Sequence, residues 1–258
     1  MTERDSKIGQ YWDVVRYKVR ADLKSDKLKT YAGILWWILD PILFMLVFYV
    51  VFSVLRQATD DFVPFLLIGL VIWRWWATGV QHGANSVVQA KGLIKQVYLP
   101  KQIFPIVSLL TDTFKFVIVF ILLLAFLWIS GMPVNQHYVW LPLLLLCQFL
   151  FIMGVEFAIS AVVPFAPDLN LAITYVIRLM FFTSGIFFKV ESIPERFHIY
   201  FYANPMANFI EAFRDVLMYD QAPDVERFGI IVVSSGTALI FGWFLLYRFD
   251  RTYPKVIH

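Results

Sequence analysis

Residues 139–163 read VWLPLLLLCQFLFIMGVEFAISAVV, and Glu156 is the only charged side chain in this stretch. A helix needs about 20 mostly apolar residues to cross the hydrocarbon core of a bilayer, which is about 30 Å thick. The stretch is therefore long and apolar enough to span a membrane as a helix. Because backbone groups in lipid must be hydrogen bonded within the segment, several such stretches predict an all-α polytopic membrane protein.

Five further segments meet the same criterion, with boundaries near 33–55, 62–80, 104–129, 171–188 and 229–247. Six spans place both ends of the chain on the same side of the membrane. We expect an interface segment at 1–30, a transmembrane domain at 31–252 and a tail at 253–258.

The composition excludes several classes of protein. Of the 258 residues, 60% are hydrophobic and 16% are charged, whereas soluble domains carry about 25% charged residues. A soluble globular protein is therefore excluded. The one cysteine, Cys147, lies in an apolar stretch and excludes a disulfide framework. The motifs GxxxxGKS/T, HExxH and GxSxG are missing, so we expect no nucleotide, metal, cofactor or catalytic residue in this chain.

The distribution of Lys and Arg predicts the orientation, because cytoplasmic loops carry an excess of basic residues. The first 32 residues hold eight Lys and Arg, the loop 81–103 holds three, and the loop 130–138 holds none. We expect both termini to be cytoplasmic. Continuous apolar sequence begins only near Gly33, so we expect no cleaved signal peptide.

Residues 6–28 have the pattern of an amphipathic helix. Basic side chains lie on the rest of the helix surface. The apolar side chains that recur at helical spacing are Ile8, Tyr11, Trp12, Val15, Val19 and Leu23. Such a helix lies on the inner leaflet, where its basic residues meet anionic lipid. The alternative is a soluble helix that packs on another domain.

The segment 192–217, between the predicted fifth and sixth spans, contains two helix starts. A capping-box pattern begins at Ser192, with Pro194 in the first turn, and Asn204 is followed by Pro205. Both helices are too short to cross a bilayer, yet each has an apolar face. We expect a re-entrant hairpin on the outer side, and the alternative is a surface loop on the lipid headgroups.

Six charged residues fall inside the predicted spans, in the inner half or at the midplane: Asp40, Arg74, Asp112, Lys115, Glu156 and Arg178. Charges in a membrane are costly, and they indicate a functional site. One interpretation is that they line the cytoplasmic mouth of a pathway and contact an anionic headgroup. The other is that they pair with each other and fix the helix register. Arg74 and Arg178 are the best candidates for anion contacts, because guanidinium matches phosphate geometry.

Tryptophan is concentrated in the first two predicted spans, at Trp36, Trp37, Trp73, Trp75 and Trp76. Tryptophan at a membrane interface usually serves as an anchor. The cluster at 73–76, however, lies well inside the second span, and flat aromatic faces suit the apolar C–H faces of sugar rings. These five residues, with Asp40, Arg74 and Arg178, are the predicted channel or headgroup contacts.

Three stretches in order resemble a known family. They are YAGILWWILDP at 31–41, LIKQVYLPKQIFP at 93–105, and SGIFF at 184–188 followed by Ile193-Pro and NPMANFIEAFR at 204–214. The chain resembles ABC-2 type permeases of bacterial polysaccharide export, which serve O-antigen, capsule or teichoic acid transport. The resemblance runs from about residue 6 to the tail. One departure is Pro164-Phe-Ala-Pro-Asp168, where the family usually has Arg-Asp, and this leaves the partner contacts of that loop open.

The resemblance implies a bacterial inner-membrane subunit that dimerises and works with two separate ATPase subunits, which bind ATP and magnesium. The substrate would be a lipid-linked glycan, and no nucleic acid is implied. The N-terminal helix would contact the ATPase together with Lys91, Gly92, Lys95, Tyr98, Pro100 and Lys101. The outer gate would comprise Ser192, Pro194, Phe197, Asn204, Pro205, Phe209, Glu211 and Arg214.

Three alternatives stay open at this stage. An ABC-2 exporter of small hydrophobic compounds would need no tryptophan at its inner mouth. A membrane-embedded glycan-processing enzyme would need a carboxylate or histidine constellation, and the outer half of the predicted spans carries none. A scaffold or channel subunit would leave the buried charges and the outer hairpin without a role.

Overall fold

The computed structural model describes residues 3–28, 61–96, 99–132 and 134–249, with isolated positions 35, 39, 42–43, 46–47 and 50. The α-helices are α1 (Glu3–Leu28), α2 (Phe62–Gln89), α3 (Lys91–Gln96), α4 (Ile103–Ile129), α5 (Leu141–Val162), α6 (Leu169–Thr183), α7 (His198–Tyr202), α8 (Pro205–Leu217) and α9 (Val225–Phe249). Short 3₁₀ turns lie at Gln136–Trp140, Val190–Ser192 and Glu195–Phe197. Within these residues there is no β-strand, so the all-α prediction is confirmed.

Among the residues that the structure describes, four helical segments are long and apolar enough to cross a membrane: Phe62–Ile94, Ile103–Ile129, Gln136–Val162 and Val225–Phe249. They contain from 25 to 33 residues each. They overlap the predicted second, third, fourth and sixth spans. The second span was predicted to end at 80, but the helical segment continues to Ile94, so much of the predicted loop 81–103 is helical. Most of the predicted first span, 33–55, and the tail at 253–258 lie outside the described residues.

The predicted fifth span differs in length from the helix that the structure shows. Helix α6 has 15 residues, which corresponds to a length of about 22 Å, and it ends at Thr183 rather than at 188. Gly185 has a φ of +71°, a left-handed conformation that ends helices. The Ser184 hydroxyl also donates a hydrogen bond to the carbonyl of Met180 at 2.7 Å. The Ser-Gly pair therefore turns the chain out of the helix.

The core is built around α2, which is buried along most of its length against α4, α5 and α8. Close backbone contact joins α5 to α9. A Cβ atom on Gly242 would lie 2.0 Å from the carbonyl oxygen of Gly154. Glycine at these two positions lets the backbones of α5 and α9 touch at this crossing, and the rings of Phe157 and Trp243 pack beside it with centres 5.8 Å apart.

Helix α1 packs against α2 and α4 of its own chain. Val15 is buried in a cluster with Val87 of α2 and with Phe104 and Val107 of α4. Tyr11 and Val19 pack beside that cluster, while Trp12 is exposed. Much of the apolar stripe predicted for a membrane surface thus contacts the ends of α2 and α4.

Candidate functional site

A stripe of polar residues runs along α2 and faces α6. We call it the polar seam, and it consists of Arg74, Thr78, Gln81 and Asn85 of α2 with Asn170, Thr174 and Arg178 of α6. The α2 members recur at helical spacing on one face. All four are partly exposed, whereas most other residues of that helix are buried. The seam is thus the hydrophilic face of an otherwise apolar element.

One end of the seam is a hydrogen-bonded network. The Gln81 side chain donates through Nε2 to the hydroxyl of Thr174 at 3.1 Å. Asn170 donates through Nδ2 to Oδ1 of Asn85 at 2.9 Å, and Asn85 donates to the carbonyl of Gln81 at 3.1 Å. These bonds join α2 to α6 in antiparallel register, because Gln81 faces Thr174 and Asn85 faces Asn170.

The other end of the seam carries the two arginines. The same register continues to Trp73 and Phe181, whose rings lie 6.0 Å apart. Arg74 and Arg178 therefore belong to one side of the bundle, which the sequence alone did not establish. The Arg178 guanidinium carbon lies 5.8 Å from the ring centre of Tyr175. The seam thus combines amides, hydroxyls and two guanidinium groups.

Helix α6 has no buried residue. Its exposed side chains include Leu171, Tyr175, Leu179 and Phe182, and Arg178 is also exposed. A guanidinium group in contact with lipid hydrocarbon is expensive, so intramembrane charges face a protein interior or a water-filled cavity. The seam side of α6 therefore requires a second protein surface or an aqueous conduit.

The three tryptophans of α2 are packed in the core. The ring of Trp75 stacks on Phe116 with centres 4.0 Å apart, and that of Trp73 contacts Trp76 at 4.7 Å. Trp73, Trp75 and Trp76 are each nearly inaccessible to solvent. Their contact with a substrate stays a prediction. Trp36, Trp37 and Asp40 lie outside the described residues.

Two of the charges predicted inside the spans have partners that the sequence did not suggest. Asp112 of α4 lies 2.8 Å from Nδ1 of His82. Lys115 of α4 lies 2.7 Å from Asp26 of α1. A cleft of about 390 Å³ opens between α1, α2 and α4 beside these pairs. The amphipathic helix is thus tied to a membrane helix by charge as well as by apolar packing.

Glu156 occupies a notch in α2. Cβ atoms on Gly79 and Gly83 would lie 3.0 Å from Oε1 and 2.4 Å from Cγ of Glu156, respectively. The side chain is fully buried, and neither carboxyl oxygen has a hydrogen-bond partner in the described part of the chain. Two glycines one turn apart therefore make the space that this carboxyl group fills.

The predicted ATPase-coupling residues surround α3. A Cβ atom on Gly92 would meet open space, and Lys91 and Pro100 are partly exposed. Lys101 is only 2% exposed, and its ammonium group donates to the carbonyl of Leu99 at 3.1 Å. The side chain of Lys95 and all of Tyr98 lie outside the description. Contact of this group with an ATPase stays a prediction.

The predicted outer hairpin is less regular than its capping motifs indicated. No capping bond forms at Pro194, which adopts an extended ψ of 136°. The predicted first helix is therefore replaced by a 3₁₀ turn and the single turn α7. The second predicted helix, α8, begins as expected, because the side chain of Asn204 accepts a hydrogen bond from the backbone N–H of Met206 at 3.0 Å. Ser192, Pro194 and Phe197 are exposed, Pro205 is partly buried and Phe209 is fully buried.

Arg214 is the centre of the region predicted to lie on the outer side, which we call the outer region (residues 184–227). It is fully buried, and Nη1 donates to Glu211 at 2.6 Å and to the carbonyl of Gly185 at 2.8 Å. Nη2 donates to the carbonyls of Ile186 at 3.1 Å and Phe65 at 3.0 Å. One guanidinium group therefore joins α8 to the turn after α6 and to the first turn of α2. We call this arrangement the arginine clamp.

Sequence reasoning found Arg214 through a motif, but it missed the carbonyls that the residue binds. It also missed Gln81 and Asn85, because the second span was predicted to end at 80, whereas the helix continues past both residues. Thr174 was missed because only charged residues were counted as unusual inside spans. The helical spacing of the polar residues between 74 and 85 could have predicted this polar face of α2.

Comparisons with known proteins agree with this architecture. A family model described as ABC-2 type transporter matches residues 16–218, which is more than half of the chain. The chain belongs to the ABC-2 type transporter family, and it is a transport permease rather than an enzyme.

The similar proteins are polysaccharide export permeases by name. The O-antigen export system permease protein RfbA of Klebsiella pneumoniae is 28% identical over 94% of this chain and 95% of that protein. RfbA of Myxococcus xanthus is 26% identical over 84% of this chain and 85% of that protein. The polysialic acid transport protein KpsM of Escherichia coli is 27% identical over 72% of this chain and 74% of that protein.

Proposed function

We propose that the chain is the transmembrane subunit of an ATP-driven exporter that carries a lipid-linked polysaccharide from the cytoplasm across the bacterial inner membrane. The polar seam is the observation that carries this proposal, since it places amide, hydroxyl and guanidinium groups on an accessible face of two membrane helices. The names of the similar proteins support the class of substrate.

The chemistry of the seam suits a moving sugar chain. Amides and hydroxyls both donate and accept hydrogen bonds, as sugar hydroxyls do. Gln81, Thr174, Asn85 and Asn170 already bond to each other, so a passing sugar exchanges one hydrogen bond for another and meets no deep energy minimum. Arg74 and Arg178 add donors that match a phosphate or pyrophosphate group in the lipid linkage. An exporter of small hydrophobic compounds would have no use for such a stripe.

A second copy of the chain completes the conduit in this proposal. The exposed side of α6 carries Arg178 among apolar residues, and a two-fold dimer would cover it with an identical surface. Six spans, including 33–55, would enclose the path, and both termini would be cytoplasmic. The segment 192–214 would form a re-entrant gate at the exit.

The ATPase partner would bind from the cytoplasm. Two ATPase subunits, with ATP and magnesium, would contact α1 and the segment 91–101. The ion pair between Lys115 and Asp26 supports this assignment, because it would pass a displacement of α1 directly to α4.

Reconstitution of the chain with its partner ATPase in proteoliposomes tests the proposal. We expect lipid-linked polysaccharide to stimulate ATP hydrolysis and to appear across the membrane. Arg178→Ala and Arg74→Ala should each lower transport tenfold or more, while basal ATP hydrolysis persists. Arg248→Ala is the matched control, because Arg248 is an exposed arginine in the last turn of α9 and belongs to neither the seam nor the proposed gate. Hydrolysis that never responds to polysaccharide would overturn the proposal.

A further inference from the structure

A second polar cavity, separate from the cleft between α1, α2 and α4, is lined by none of the residues of the seam. It has a volume of about 430 Å³ and opens between the 3₁₀ turn at Val190–Ser192, the end of α8 and the start of α9. Its wall includes Lys189, Glu191, Asp215, Tyr219, Asp224 and Arg227. Ligand pockets in proteins range from about 300 to 1,000 Å³, so the cavity has room for a small organic group.

Buried ion pairs hold part of the wall in place. Asp215 forms a short contact with the guanidinium group of Arg227. Glu211, which also lines the cavity, is bound to Arg214 of the arginine clamp. The wall thus offers carboxylate acceptors whose positions are fixed by ion pairs.

An aromatic ring and a further cation complete the wall. Nζ of Lys189 lies 5.5 Å from the ring centre of Tyr219 and 5.8 Å from that of Phe65. Asp224 caps α9, because its Oδ1 accepts hydrogen bonds from the backbones of Glu226 at 2.8 Å and Arg227 at 3.2 Å. These bonds fix the positions of Tyr219, Lys189 and Asp224 around the opening.

This combination selects one chemical class of ligand. The lining contains four carboxyl groups and two cations, so a phosphate would meet net repulsion. No group of three His, Cys, Asp or Glu in the described ranges is placed to hold a metal ion. Neutral sugars have neighbouring hydroxyls, which donate to carboxylates and accept from Arg and Lys, and C–H faces that pack on an aromatic ring.

We propose that this cavity is a saccharide-binding site, which holds one or two sugar residues of the polymer on the outer side of the membrane. This inference rests on the proposed function, and it adds a second contact point beyond the seam. Because Glu211 belongs both to the cavity wall and to the arginine clamp, a bound sugar contacts the helix that the clamp fixes.

Binding of short oligosaccharides to the complete exporter in nanodiscs tests the inference. The probe is a set of two- to four-residue oligosaccharides prepared from the exported polymer, without the lipid, and the readout is saturation-transfer-difference NMR titration. We expect saturable binding whose Kd rises fivefold or more in Tyr219→Ala and in Glu191→Gln. Tyr219→Phe, which keeps the ring, should lose less affinity than Tyr219→Ala.

Glu195→Gln is the matched control, because Glu195 is an exposed acid of the same outer region outside the cavity. Equal Kd values for the wild type, Tyr219→Ala and Glu191→Gln would overturn the inference, as would the lack of saturable binding in an exporter that polysaccharide stimulates. In both results the proposed function stands. An exporter that neither binds the probe nor responds to polysaccharide would overturn both.

Discussion

A Cβ atom on Gly69 would lie 2.8 Å from Nη2 of Arg214. Gly69 is one helical turn after Phe65, whose carbonyl the same guanidinium group binds. The approach of Arg214 to the backbone of α2 therefore depends on the missing side chain at position 69. The arginine clamp and the glycine form one unit, although 145 positions separate them in the sequence.

Gly69→Ala should displace the guanidinium group from α2. Arg214 is fully buried and is also held by the carbonyls of Gly185 and Ile186, so it has little room to move aside. Each lost hydrogen bond to a charged group costs about 1.5–3 kcal/mol, and we expect a lower unfolding temperature in detergent. In Gly236→Ala, the control, the new methyl group meets open space. Equal unfolding temperatures for Gly69→Ala and Gly236→Ala would contradict the role of Gly69.

Gly83→Ala should force Glu156 out of its notch, since the new Cβ would lie 2.4 Å from Cγ of that residue. Overpacking of this kind costs about 1–3 kcal/mol. The double variant Gly83→Ala with Glu156→Ala should recover part of the loss, because the smaller side chain vacates the space. Thermal unfolding of all four proteins gives the coupling energy, and additive effects would show that the two residues do not compete for that space.

Reversing the ion pair between α1 and α4 tests the link to the ATPase. Lys115→Asp alone should lower polysaccharide-stimulated ATP hydrolysis, and the double variant with Asp26→Lys should restore at least half of it, because the two charges attract again. Disruption of Lys18–Asp22, a pair within α1, is the control and should have little effect, as such pairs contribute about 0.5 kcal/mol. No recovery in the double variant would argue against coupling through this pair.

The stability of the outer region should depend on pH through Asp215. Burial raises the pKa of Asp215 to about 6, although Arg227 opposes the shift. Between about pH 4 and pH 6 the folded protein retains a proton that the unfolded chain has lost, so stability falls as pH rises through this window and levels off above it. The difference amounts to about 3 kcal/mol at most.

Asp215→Asn removes the titrating group, so its unfolding temperature should change less between pH 4.5 and pH 7 than that of the wild type. Thermal unfolding in detergent at five pH values provides the measurement. Parallel curves for the two proteins would rule out Asp215 as the source of the pH dependence.

Much of the fold could be predicted because membrane spans are local in sequence. The apolar stretch around Glu156 predicted α5, and similar stretches predicted α2, α4 and α9. The end of α6 was harder to predict from the sequence, because the apolar run continues to Phe188 while the left-handed Gly185 turns the backbone. The irregular start of the outer hairpin was missed for a similar reason, as an extended Pro194 overrode the capping pattern at Ser192.

The site depends on contacts between distant segments, which a single sequence does not contain. Arg74 and Arg178 were identified as costly charges, but only the register of α2 against α6 places them on one seam. The partners of Asp112 and Lys115 are His82 and Asp26, and no spacing rule connects these pairs. Gln81 was assigned to a loop, because the apolar run that predicted the second span ends at 80 while the helix continues to Gln89.

The backbone contact between Gly154 and Gly242 has a mechanical consequence. At this crossing no deformable side chain separates the two main chains, so we expect α5 and α9 to move together. The junction of α2 and α6 is different, because its polar bonds can be replaced one at a time by bonds to water or to sugar hydroxyls. If the chain changes shape during transport, we expect the junction of α2 and α6, which hydrogen bonds hold, to separate more readily than the junction of α5 and α9, which close backbone contact holds.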